Sequence, residues 1–172
     1  MIVNYFMKDI KVEEIWPLKE VKNYLRISHE YDDILIQNLI ESATEAAENF
    51  TGLSINHREI ECKIRNTKSD FTLRYLPILS IEEVYVVEKN KKEEITGNFG
   101  YVNNTINRIY FNEEYVDQDI EIKYIAGYKK TPKTIAHGIL MHVVLMYEHA
   151  ENETNLSSKI LDLYLPHRII KI

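Results

Sequence analysis

Hydrophobic positions in this chain change their period twice. From Leu18 to Phe50 they recur every three or four residues, from His57 to Ile125 every second residue, and after Pro132 they nearly fill the sequence. The first pattern predicts two helices. One follows Trp16-Pro17, with Pro17 in its first turn and Leu18, Val21 and Leu25 on one side. The other follows the break Ser28-His29-Glu30-Tyr31-Asp32-Asp33, where Ser28 and Asp32 suit an N-cap. Its apolar face reads Ile36, Leu39, Ile40, Ala43, Ala47 and Phe50, its polar side carries Glu41, Glu45 and Glu48, and Thr51-Gly52 supplies the stop.

The period-two section predicts strands. His57–Arg65 places Ile60, Cys62 and Ile64 on one face, and 71–75 and 81–88 follow around the break at Leu76-Pro77. The stretch 90–93 reads as a charged connection and Asn103-Asn104 as a turn, with further strands at 108–112 and 120–125. Residues 1–16 show no clear period and read as a short strand or an arm. The next helix, from Pro132 to about His149, is apolar nearly all round: nine of the twelve residues 135–146 are Ile, Leu, Val, Met or Ala. It is either a central core helix or a helix with one face left for a neighbour. A polar loop at 151–155 and a short helix at 157–165 precede the tail His167-Arg168-Ile169-Ile170-Lys171-Ile172, which is costly in water unless docked.

These elements predict an α+β protein: an N-terminal helical pair and a C-terminal apolar helix form a small bundle, packed with an antiparallel β-sheet from the middle of the chain. The expected organisation is an N-terminal arm over 1–16, one domain over 17–155 with its strands at about 57–125, and a C-terminal helix and docking tail over 156–172.

Composition narrows the function. The net charge of −6 opposes non-specific binding to nucleic acid, which needs clustered Lys and Arg. A lone cysteine, Cys62, sits in a strand pattern and reads as a core residue of a protein in a reducing cytoplasm. The opening residues lack the basic region and apolar stretch of a targeting leader. The run 135–147 is too short to span a membrane, which takes about 20 residues.

Catalytic chemistry finds little to work with. His137 and His142 lie five residues apart, about 140° around a helix, and His142 and His149 lie two turns apart. The zinc-protease pattern of two His at i and i+4 with an intervening Glu is absent. Adjacent acids on a strand, such as Glu82-Glu83, point to opposite faces, adjacent acids on a helix read as solvated, and the five glycines form no phosphate loop. No Ser or Cys sits in an elbow motif. No cofactor and no metal is expected.

Three segments together carry a resemblance: PLKEVKNYLRISHEYDDILIQNLIESATEAAENFTG, IAGYKKTPKTIAHGILMHVVLMYEH and LDLYLPHRI, with YLPILSIEEVYVV between the first two. In this order they resemble the head–tail connector proteins of tailed phages, also called head-completion or adaptor proteins, over about residues 16–169. His167 stands where an aromatic is common in that family, and residues 1–15 look like an extension. The resemblance implies a non-catalytic structural protein of a phage, prophage or related particle. It implies a ring of about a dozen subunits in the virion, assembled in the host cytoplasm and able to be monomeric in isolation. Its partners would be a portal protein and a tail or stopper protein, with double-stranded DNA passing unbound and no membrane contact. Docking then falls to Leu165, Pro166, His167, Arg168, Ile169 and Ile170, and deletion of 166–172 should leave a folded domain that no longer binds a portal. Glu41, Glu45 and Glu48 become candidate channel-facing residues. Two other readings are a small metal-dependent enzyme using His142, His149 and Glu148, and a monomeric protein-binding module.

Overall fold

The computed structural model describes residues 1–10, 15–89, 91–95, 97, 99–102, 107–149 and 156–169. The chain divides into two units: Met1–Lys11 with Asn56–Lys129, and Val12–Ile55 with Lys130–Ile172.

The first unit is built from strands. β1 (Ile2–Asp9), β2 (Arg58–Arg65), β3 (Asp70–Thr72), β4 (Ile78–Glu88), β5 (Lys91–Glu94), β6 (Phe99–Val102), β7 (Arg108–Phe111) and β8 (Asp119–Ala126) follow in chain order. They form two antiparallel sheets, one ordered β1-β2-β8-β4-β5 and one ordered β3-β7-β6. The expected single sheet is therefore two. Alternation decides the inner face: Ile60, Cys62 and Ile64 of β2 stand opposite Tyr124, Ile122 and Ile120 of β8, and all six are buried. Phe71, Ile109 and Phe111 of the smaller sheet join the same apolar cluster. Each fully buried Ile contributes on the order of 2 kcal/mol. The outer face is a ladder of ion pairs, Lys63 with Glu61 and Glu121, Lys92 with Glu121, and Lys123 with Glu83. Such solvated pairs are worth about 0–1 kcal/mol each.

Local features depart from the sequence pattern or decide between its alternatives. The expected connection around residues 91–93 lies in β5, whose four residues are all exposed; an edge strand tolerates charge because no neighbour covers it. β3 ends at Thr72, short of the expected 71–75, and the chain turns at Tyr75, whose backbone is in the left-handed region (φ 56°). The strand alternative holds for the first residues, since β1 pairs with β2 along its length. The predicted turn at Asn103-Asn104 and loop at 151–155 lie outside the described residues.

The second unit is helical: α1 (Leu18–Leu25), α2 (Asp33–Thr51), α3 (Lys133–Glu148) and α4 (Ser158–Tyr164), followed by a 3-10 turn at Leu165–His167. Gly52 ends α2 at φ 76°, returning its N–H to the Glu48 carbonyl at 2.8 Å. The core takes Val21 from α1, Ile36, Ile40, Ala43 and Ala47 from α2, Ile135, Ile139, Leu140 and Val143 from α3, and Ile160 and Tyr164 from α4. Trp16 donates its indole N–H to the Ala136 carbonyl at 2.6 Å, tying the entry of α1 to α3. Tyr147 near the end of α3 donates to Asp32 at the start of α2, at 2.7 Å, so the two long helices run antiparallel.

Candidate docking site at the end of the helical unit

The apolar α3 covers only part of its surface inside the helical unit. Ile135, Gly138, Ile139, Leu140, His142 and Val143 are buried, while Met141, Val144, Leu145 and Met146 are half-buried and Lys133, His137 and Glu148 exposed. Gly138 is the packing hinge. A Cβ there would stand 2.4 Å from Cε1 of Tyr164, so the missing side chain lets α4 lie against α3. Tyr164 is fully buried, its ring centroid 6.2 Å from that of Phe50 on α2. Burial pushes its hydroxyl pKa up.

This anchor sets the course of the tail. Leu165 is 52% exposed, and Pro166 and Arg168 are exposed as well. His167 turns back, its Nε2 sharing a hydrogen bond with Thr134 Oγ1 at 2.7 Å. Ile169 donates its N–H to the Thr51 carbonyl at 2.8 Å, and the Arg168 guanidinium lies 5.1 Å from the centre of the Phe50 ring. Of the predicted docking residues, Leu165, Pro166 and Arg168 are exposed, the last with its guanidinium resting on Phe50, while His167 and Ile169 hold the turn onto α2 and α3. Ile170 lies outside the described residues. Because the turn is packed on its own chain, deleting 166–172 also removes contacts of the helical unit and is not a clean test of docking.

The acidic stripe on α2 needs a correction. Glu41 and Glu45 are exposed, but Glu48 is 7% exposed and accepts the Ile55 N–H at 2.6 Å. Helical spacing puts Glu48 beside Glu41, yet Glu48 is buried where the chain returns past Gly52. The outward acidic stripe is therefore two residues, and the neutral Asn49 is the exposed residue next to Glu48.

His142, His149 and Glu148 are not gathered. His142 is 3% exposed and neither ring nitrogen bonds a described residue, so burial lowers its pKa. His149 and Glu148 are exposed. Among the described residues no three His, Cys, Asp or Glu side chains stand where they could hold a metal, and no helix is long and apolar enough to cross a membrane. An open groove of about 530 Å³ in the β unit, lined by Val86, Glu88, Lys91, Glu93 and Tyr115, mixes both charges with apolar surface. It presents no nucleophile with an adjacent base.

These features define a class: an α+β protein whose prominent surface is a rigidly seated helical end with apolar and cationic groups exposed. Comparison with known proteins sharpens it. The family model for the head completion protein matches residues 14–160, and the chain belongs to that family. Its role is structural, at the head–tail connection of a virion. Among curated proteins none matches this sequence. Among solved structures the chain is similar to one from the neck of an empty gene transfer agent particle, computed with sixfold symmetry. That match has a TM-score of 0.78 and 14% identity and covers 97% of both chains. A second, from the neck of the native particle computed with twelvefold symmetry, has a TM-score of 0.75, 14% identity and 97% coverage of both. A third, from the virion of the native particle, has a TM-score of 0.75, 13% identity and 96% coverage of both. At this identity the structural matches speak for the fold.

Proposed function

We propose that copies of this chain form a ring between the portal and the tail, act without catalysis, and dock on the portal through the exposed side of the C-terminal turn. The observation that carries the docking reading is the pre-seated turn. Leu165, Pro166 and Arg168 are held exposed by His167 on Thr134 and Ile169 on Thr51, so little conformational entropy remains to be lost on binding. The twelvefold symmetry applied to the similar neck structure supports a ring.

The test is a Leu165→Asp variant, which leaves His167, Arg168 and Ile169 in place. It should fold like the parent chain, judged by the fluorescence of the single tryptophan, and lose binding to the cognate portal protein by at least tenfold. Parent-like portal binding by the folded variant would refute the docking assignment.

A further inference from the structure

The outward stripes of α2 and α3 are complementary to each other, and we propose that they meet between neighbouring copies of this chain. At 100° per residue, Ile34, Glu41 and Glu45 lie within about 40° on α2, and Lys133, Met141 and Val144 within about 80° on α3. The α2 stripe begins apolar, with Ile34 79% exposed, and becomes acidic at Glu41 and Glu45, toward its C-terminal end. The α3 stripe begins basic, with exposed Lys133 and His137, and becomes apolar at half-buried Met141 and Val144. Because the helices are antiparallel, the acidic end of one stripe and the basic end of the other lie at the same end of the unit. The bonds of His167 to Thr134 and of Ile169 to Thr51 fix this. Laid against each other with one copy rotated, the stripes match over their whole length: acid on base at one end, apolar on apolar at the other.

Helix-end charge points the same way. α3 has no acid in its first turn and opens on exposed Lys133, a cation at the positive end of the helix dipole. That arrangement is unfavourable unless an acid is brought near. α2 has no basic residue in its last turn to offset its negative end. Glu41 and Glu45 make no ion pair with any described residue. Arg168 of the same chain lies over Phe50 at the end of α2, so the groups left for a neighbouring copy are Glu41 and Glu45 on α2 and Lys133 on α3. The contact joins two different faces, so it is heterologous and closes into a ring when the rotation divides a full turn. The inference rests on the ring reading and adds its interface.

The experiment mixes unlabelled and ¹⁵N-labelled full chains, free in solution and on immobilised cognate portal protein, and cross-links carboxylates to amines. The expected product is a mixed-isotope link from Glu41 or Glu45 to Lys133 or to the exposed Lys130 just before α3. Two charge-reversed chains, Glu41→Lys with Glu45→Lys and Lys130→Glu with Lys133→Glu, should each self-associate at least tenfold more weakly. Mixed together they should recover parent-like association, since each then offers what the other lacks. Assembly that survives both reversals, including an α2 face left open toward passing DNA, overturns this interface and leaves the connector reading standing. No association in either setting, by chains that fold by tryptophan fluorescence, overturns both.

Discussion

Replacing Gly138 with Ala tests whether α4 is seated as described. In a free helix this change stabilises by about 1 kcal/mol, because glycine is the poorer helix former. Here the new methyl would lie 2.4 Å from Cε1, 3.0 Å from Cζ and 3.2 Å from Cδ1 of Tyr164. Ordinary carbon contacts need about 3.5–4.0 Å, so the ring must retreat by roughly 1 Å. It has little room to do so, being fully buried with Phe50 beside it. Overpacking of this kind costs about 1–3 kcal/mol. A wedge against an aromatic ring belongs in the upper part of that range, which leaves a net destabilisation of about 1–2 kcal/mol. The reporter is at hand: Trp16 is the only tryptophan and bonds Ala136, two residues before Gly138. Urea unfolding followed by its fluorescence should shift to lower denaturant, and hydrogen exchange of the α4 amides should accelerate. Tyr164→Leu removes the obstructing atoms, so the double variant should be more stable than the sum of the single effects predicts, by at least about 1 kcal/mol. A stabilised Gly138→Ala chain, or strictly additive effects, would refute the packing.

Two further outcomes follow from buried titratable groups. Burial holds His142 below the ordinary imidazole range, so the unfolded chain takes up the proton first as pH falls. Stability of the helical unit should be level above about pH 6.5 and decline below it, by up to about 1.4 kcal/mol per pH unit, until the folded value is reached. His142→Leu should flatten the difference in Trp16-monitored unfolding between about pH 7.5 and 5.5, and an unchanged difference would exclude His142 as its source. Cys62 is fully buried, and burial pushes its thiol up to about 12. A thiol reagent at about pH 8 should therefore modify it only as fast as the β unit opens, and rapid labelling of native protein would contradict its position.

What the sequence disclosed follows a physical line. Periodicity reports which face an element buries, so α2 and the inner residues of β2 were readable from spacing. It does not report what a neighbouring segment does. Glu48 has the helical phase of an exposed residue, yet it is buried and accepts the Ile55 N–H where the chain returns past Gly52. The Lys91–Glu94 segment has the composition of a loop, and only the free edge of β4 makes it a strand. Gly138 reads as an interruption in an apolar run, yet its missing side chain is what makes room for Tyr164 of α4. The tail was recognisable as a segment that must dock, since exposed isoleucines are unfavourable. That its first contacts are Thr51, Phe50 and Thr134 of the same chain depends on where α4 ends.

That internal docking changes the energetics of the proposed assembly. A free arm would lose roughly 1–2 kcal/mol of backbone entropy per residue ordered on binding. In this chain residues 165–169 are already ordered by α2, α3 and α4, so that loss occurs on folding. The same contacts also position the outward stripes, because Thr134 and Thr51 stand at the two helix ends toward which the opposed charges lie. A portal contact on Leu165 and Arg168 therefore bears on the scaffold that presents Lys133 and Glu45. By linkage, a ligand that binds only the ordered turn stabilises that scaffold, and a neighbour bound to the stripes stabilises the turn by the same free energy. On this reading the portal favours ring closure without touching the interface between copies, and a chain that self-associates weakly when free closes its ring where the portal holds it.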